Sequence, residues 1–394
     1  MTAQPLFTAL LASCLALPAG YPLSAEAPRG STGPVSRGGL AREPLPDAAA
    51  PPFILTPSTH PIRAIHLTCW NAGSPKYRRW LDNVLNETVI NAVVIDVKEF
   101  HGEVYLPGAA SAKQAGAYVN AVPDLAEWLA ELKKRGVYTI ARQVVFKDNI
   151  MPRKNPSLGV HNHLGELWYD HGHTTWLDPY NKDAWRYNLL IALQASKLGF
   201  DEVQFDYIRF PTDGHLQSIR YSVPHNRQAA SQALVDFLGQ ARQLLHPLGT
   251  KISIDVFGLT TSDNSGMGIG QRIVPMTEKV DYVCPMVYPS HYYRGEYGLP
   301  EPNREPYKTV YYGLKDAVRG LGPLAQKLRP YLQDFSLGGV RYGPEEVRAQ
   351  IQAAADVGIQ DWSLWNAGGS YTLQALKTAA TPGPKPYVIQ ISTP

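Results

Sequence analysis

Short, nearly unbroken apolar runs punctuate this chain, and longer segments with apolar residues at helical spacing separate them. The runs cover residues 63–69, 91–98, 137–146, 199–211, 251–258, 281–289, 328–335 and 361–366. Strands buried on both faces have this character, whereas a half-exposed strand alternates. The intervening segments predict helices over 75–91, 123–135, 181–198, 227–248, 303–320 and 344–357, with a shorter one from about Gly270. Pro123-Asp124 opens the second of these and Gly136 closes it; Gly358 closes the last. Eight strands alternating with helices predict a (β/α)8 barrel, in the α/β class, over residues 62–380. No nucleotide-binding glycine motif opens any helix, which argues against a doubly wound dinucleotide fold.

Two parts of the chain break the pattern. Residues 6–19 are apolar, too short to span a bilayer, and an Ala-x-Ala site follows at Ala25-Glu26-Ala27, so residues 1–27 are expected to be a signal peptide. Leu11-Ala12-Ser13-Cys14 also resembles a lipobox, which would put a lipid on Cys14 and anchor the protein to a membrane. Residues 28–61 are rich in Pro, Gly, Ala and Ser and predict a disordered linker, and 381–394 a C-terminal tail. The second exception is an insertion at 149–180 with Trp168, Trp176 and four histidines. Loops this long within a domain generally shape function.

Composition narrows the chemistry little. The 37 basic and 34 acidic residues nearly cancel, giving no electrostatic reason to expect nucleic acid as a partner. The 22 Tyr and 8 Trp offer flat faces with polar tips, suited to stacking on sugar rings. Cys69 and Cys284 lie far apart in apolar runs and are expected to be buried free thiols. No Gly-x-Ser-x-Gly elbow occurs. His161, His163, His171 and His173, with Asp170 and Asp178 nearby, match no zinc spacing, so neither a metal nor a cofactor is expected.

Barrel sites form where the strands end. Those ends carry Asp96, Lys98 and Glu99; Arg142, Lys147 and Asp148; Asp206 and Arg209; Asp255; Tyr288 and His291; Gln333 and Asp334; Trp365 and Asn366. In the fourth run Glu202, Gln204 and Asp206 share one face and Val203, Phe205 and Tyr207 the other. Asp206 and Asp255 close neighbouring strands. Strands lie about 4.8 Å apart, so the two carboxyl groups are placed for the separation of about 5–9 Å that glycoside hydrolysis uses. They are the expected catalytic pair. Asp96, Glu99, Arg142, Arg209, Tyr288, His291, Asp334 and Trp365 are expected around the substrate, with Gln333 and Asp334 pointing opposite ways.

Several of these runs also match a known family. Val94-Ile95-Asp96-Val97-Lys98, Phe205-Asp206-Tyr207-Ile208-Arg209-Phe210-Pro211, Ile254-Asp255-Val256-Phe257-Gly258, Pro285-Met286-Val287-Tyr288-Pro289 and Trp176-Leu177-Asp178-Pro179 resemble the DUF4015 family of bacterial glycoside-hydrolase-like barrels. The resemblance spans residues 62–378 and implies a TIM-barrel hydrolase acting on polysaccharide. Met286-Val287-Tyr288 and Trp365 are also similar, more distantly, to chitinase-like barrels. Those carry a catalytic Glu two residues past the last Asp of the fourth strand, where this chain has Ile208. Their single-strand mechanism therefore does not transfer, and a second carboxylate must come from elsewhere. The expectation is an exported glycoside hydrolase; the competing one is a non-catalytic carbohydrate-binding barrel of the cell envelope.

Overall fold

The computed structural model describes residues 54–55, 58, 60–377 and 387–388. Eight parallel strands close into one barrel in chain order: β1 (Arg63–Leu67), β2 (Ala92–Lys98), β3 (Tyr138–Val144), β4 (Glu202–Asp206), β5 (Lys251–Phe257), β6 (Tyr282–Met286), β7 (Tyr331–Gln333) and β8 (Trp362–Trp365). β8 pairs with β1, with Ser363 beside Ala64, and closes the ring. This is the TIM-barrel architecture expected from the pattern of runs. The predicted leader and Cys14 lie outside the described residues, as do most of the linker and tail. Ile54–Leu55 and Tyr387–Val388, within those two segments, form a short antiparallel pair, and Leu55 is buried in the core.

Local chemistry sets the element ends. Asn181 caps the helix Lys182–Leu198, accepting from the amides of Asp183 (2.8 Å) and Ala184 (3.3 Å), and Gly199 ends it at φ 104°. The first strand stops at Leu67 rather than residue 69. Thr68 accepts from the Asn71 amide and caps the short helix Cys69–Ala72. The fifth large helix starts at Pro306, three residues later than expected, because Pro302–Arg304 forms its own 3-10 turn. Cys69 and Cys284 are buried and free.

The barrel interior is layered, and the layering decides which strand residues meet. At the N-terminal end Glu202 pairs with Arg329, accepts from the Tyr138 hydroxyl (3.0 Å) and accepts from Ser253. Above it the Tyr331 hydroxyl donates to Gln204 (2.7 Å), whose amide reaches Cys284 Sγ (3.4 Å), beside Ala64, Val94 and Ile140. The third layer, at the C-terminal end, holds the candidate site. Both members of the Glu202–Arg329 pair are fully buried, so removing one leaves an uncompensated interior charge. Arg329→Met is expected to lower unfolding free energy by about 3–5 kcal/mol, measured by urea titration. Adding Glu202→Gln should restore much of the loss, and a double variant no better than the single one would remove this account.

The insertion after β3 is ordered and fastened down. Its His161–Asn162 pairs antiparallel with Ile219–Arg220 of the loop after β4. Trp168 is buried and donates to the His215 carbonyl (3.1 Å); Trp176 is buried and donates to Asp170 (3.0 Å). Gly214, at φ 86°, lies where a Cβ would strike the Trp168 ring.

Candidate active site

Alternation along β1 to β5 brings His66, Asp96, Arg142, Asp206 and Asp255 into the third layer. Arg142 is its hub. Its Nε (3.0 Å) and Nη2 (2.5 Å) donate to Asp206 Oδ2, and its Nη1 donates to Asp96 Oδ1 (2.6 Å) and Glu99 Oε1 (3.2 Å). The guanidinium also lies 4.8 Å from the Trp365 ring. One cation thus binds three acids from two strands and a loop. Arg142 is committed within the protein, and its role there is to fix the acids.

Asp96 is shared with a residue that reading the strand ends passed over. Its Oδ2 meets His66 Nε2 at 2.8 Å, and the His66 ring stacks on Trp365 with centroids 4.0 Å apart. Burial, reinforced by Arg142, pushes His66 down to about 3, so the imidazole is neutral and holds its proton on Nε2, donating to Asp96. The signal was present: His66 follows Ala64 at the interior-facing spacing of β1. Glu99 lies at the rim, its side chain 22% exposed. Burial and the neighbouring Asp96 raise its carboxyl to about 8, although Arg142 opposes them.

The two acids of the expected pair sit in contrasting surroundings. Phe205 pairs with Ile254, so Asp206 and Asp255 occupy the next rung of adjacent strands. Asp206 accepts two hydrogen bonds from Arg142 and a third from the Tyr207 amide (2.6 Å) and donates none, the pattern of a carboxylate. Asp255 is 2% exposed, and its Oδ1 has no hydrogen-bond partner among the described residues. Burial, with Asp206 next to it, holds its carboxyl well above the usual range, the direction that suits a proton donor. Gln271 ties the two strand ends together. Its Nε2 donates to the carbonyls of Ile208 and Asp255, both at 3.3 Å, and its Oε1 accepts from the Phe257 amide (3.0 Å). Nothing in the sequence pattern singled it out.

The remaining expected residues separate. Tyr288 is buried, and burial together with Asp255 raises its hydroxyl. It packs edge-on to His291 at 5.3 Å. His291 is lowered by burial and contacts Ser290 Oγ at 3.0 Å. Arg209 lies in a box of Trp176, Tyr207 and Phe257. Asp334 stands apart, accepting from the Thr372 amide (2.8 Å) and hydroxyl (2.6 Å) and fastening the loop after β8. Gln333 accepts from Ser290 Oγ at 2.9 Å. Lys98 also turns away from the axis. A register shift between Asp96 and Lys98 carries it into the barrel wall, where it meets the Val144 carbonyl (2.9 Å), Asn188 and Asp148.

A family model described as "Putative glycosyl hydrolase domain", DUF4015, matches residues 64–371. Among solved structures, a hypothetical protein from Ruminiclostridium thermocellum ATCC 27405 is 35% identical, with 49% of this chain and 97% of that one covered and a TM-score of 0.45. The PgaB (BpsB) glycoside hydrolase domain from Bordetella bronchiseptica is 16% identical, over 78% of this chain and 95% of that one, TM-score 0.59. The C-terminal domain of a "putative chitinase" from Desulfitobacterium hafniense DCB-2 is 10% identical, over 80% and 96%, TM-score 0.50. At such identities the last two likenesses establish the barrel fold. No curated protein matches the chain.

Proposed function

Because the chain belongs to the DUF4015 family of glycosyl hydrolase-type domains, we propose that it is an exported glycoside hydrolase that cleaves a polysaccharide with Asp206 and Asp255. The observation that carries this reading is the split between two carboxyl groups on one rung. Asp206 is held as a carboxylate by Arg142, and Asp255 is held protonated by burial. Glycoside hydrolysis needs one of each: an acid to protonate the departing oxygen, and a carboxylate to attack the sugar or activate water. In this reading Asp255 donates the proton and Asp206 serves as nucleophile or base. Arg142 holds Asp206 by two hydrogen bonds, Asp96 holds Arg142, and neutral His66 orients Asp96. Export rests on the leader-like composition of residues 1–27.

The rim offers surfaces suited to sugar rings. Trp70, just beyond β1, is 60% exposed and meets Tyr105 edge-on at 6.2 Å. Tyr293, beyond β6, is 59% exposed. Exposing a Trp forgoes burial worth about 1.5–3 kcal/mol for a large apolar side chain, and a stacking partner would recover it.

A polysaccharide panel with Asp206→Asn in parallel tests the proposal. Wild type should release reducing ends from at least one polymer, and the variant should lose about 10²–10⁴-fold of that rate. Binding without cleavage by either protein would favour the non-catalytic carbohydrate-binding reading. Glu99 is a second candidate donor because it is raised to about 8 and is more exposed than Asp255. The two are separable by which substitution abolishes the alkaline fall in rate.

A further inference from the structure

Five Lys and Arg side chains are buried among the described residues: Lys98, Arg142, Lys147, Arg209 and Arg329. Four have a carboxylate within ion-pair distance. Lys98 meets Asp148 (2.9 Å), Lys147 meets Asp170 (2.8 Å), Arg142 meets Asp206, Asp96 and Glu99, and Arg329 meets Glu202. Arg209 has no such partner among these residues, although it is only 8% exposed.

What surrounds Arg209 is aromatic. Its guanidinium carbon lies 4.9 Å from the rings of Trp176 and Tyr207 and 5.0 Å from that of Phe257. Those π-faces stabilise a cation without neutralising it. Its hydrogen bonds to described residues both leave from Nη1, to the Phe210 carbonyl (3.0 Å) and the Thr212 hydroxyl (3.3 Å). A guanidinium has five N–H groups in a planar fork, so the Nε and Nη2 edge, which matches a carboxylate or sulfate, is unspent. Of the acids whose charge reaches it, Asp206 is held by Arg142 and Asp170 by Lys147 and Trp176, while Asp213, which accepts from the His171 amide, lies beyond ion-pair distance.

Its location links it to the site. Arg209 follows Asp206 by three residues, across a turn in which Tyr207 adopts φ 49°, a conformation that strains a non-glycine residue. Phe257, one wall of the box, follows Asp255 by two residues on the same face of β5. The unpaired cation therefore lies between the two strand ends that carry the acid pair.

We propose that Arg209 receives an anionic substituent of the bound glycan, a uronate carboxylate or a sulfate ester, and thereby selects an acidic polysaccharide. The inference rests on the hydrolase reading for its site and on the pairing of the buried cations for its charge. A neutral sugar hydroxyl could accept one of the free N–H groups but would leave the cation without a carboxylate or sulfate at ion-pair distance. A carboxylate or a sulfate presents two oxygens to the fork and supplies the opposite charge together.

The test is a glycan array with matched neutral, uronate and sulfated oligosaccharides, probed with full-length Asp255→Asn protein. That background silences the proposed proton donor while replacing a protonated carboxyl with an amide of like shape and charge. Binding should favour the anionic members, weaken with added salt, and fall about tenfold or more for those members when Arg209→Gln is added. Arg209→Lys should retain part of the preference, having the charge without the fork. Uronate and sulfate arms separate the two sources of the anion. The inference is overturned if binding is confined to neutral or amino-sugar glycans, if no acidic glycan binds, or if Arg209→Gln and Arg209→Lys weaken neutral and acidic members equally. Acid-selective binding with no cleavage by the wild type would remove the hydrolase reading alone. Cleavage confined to neutral polymers would instead remove this inference alone.

Discussion

Asp255→Asn is expected to cost about 10²–10⁴-fold in turnover and, in the same protein, to raise stability at neutral and alkaline pH. The two effects have one cause. In the folded chain burial and Asp206 keep Asp255 protonated, whereas in the unfolded chain it ionises near the ordinary aspartate value of about 3.9. A folded-state value raised above the unfolded one gives stability that is complete below the unfolded value and is lost as pH rises through the folded one. The amide carries no such dependence. Thermal melts of wild type and variant should therefore nearly coincide at pH 4 and diverge toward pH 8, the variant melting higher. Turnover has a matching sign: a proton donor works below its own pKa, so the wild-type rate should fall on the alkaline side. If that fall lies near pH 8 and Glu99→Gln removes it while Asp255→Asn retains turnover, Glu99 is the donor.

Arg142→Met should be the most damaging substitution at the site for stability. It leaves Asp96, Asp206 and Glu99 with their mutual repulsion and without the cation that faces them all. Loss of one partner from a buried ion network costs about 3–5 kcal/mol. The loss should depend on pH. Glu99 is already raised to about 8 against the opposing pull of Arg142, so without Arg142 its folded-state value climbs further above the unfolded one, and the variant gains stability as pH falls and Glu99 takes up its proton. Melts at pH 5 and pH 8 test this, and an equal loss at both would mean that Arg142 serves by packing on Trp365 rather than by charge. Arg142→Lys should not rescue activity, because one ammonium cannot span Asp96 and Asp206 as the fork does.

The barrel was legible because strands buried on both faces leave long apolar runs, and eight such runs permit few closures. Asp206 and Asp255 were legible as neighbours for the same reason: chain order becomes spatial order in a parallel barrel. What alternation could not show is how the charges are apportioned. Arg142 could be placed at the mouth, but not its hold on Asp96, Glu99 and Asp206, because that depends on side-chain reach across three strands. Asp334 and Lys98 have the residue types of a site and stand at strand ends. Asp334 is drawn off by Thr372, and Lys98 by the register shift in β2, and neither cause has a sequence signature. His66 and Gln271 escaped notice for opposite reasons. His66 sits inside an apolar run among residues that pack, and Gln271 lies in a loop where no periodicity operates.

The short ladder joining His161–Asn162 to Ile219–Arg220 bears on how this face can be rebuilt. Barrel enzymes are usually pictured as eight independent loops on a constant frame, each exchangeable alone. Here the loops after β3 and β4 are sewn to each other, with Trp168 fixed to the carbonyl of His215 and Gly214 giving it room. Replacing either loop alone would strand half a ladder and uncover a buried indole. For grafting or recombination the two are a single cassette, and crossover points belong before residue 149 and after residue 220, not between them.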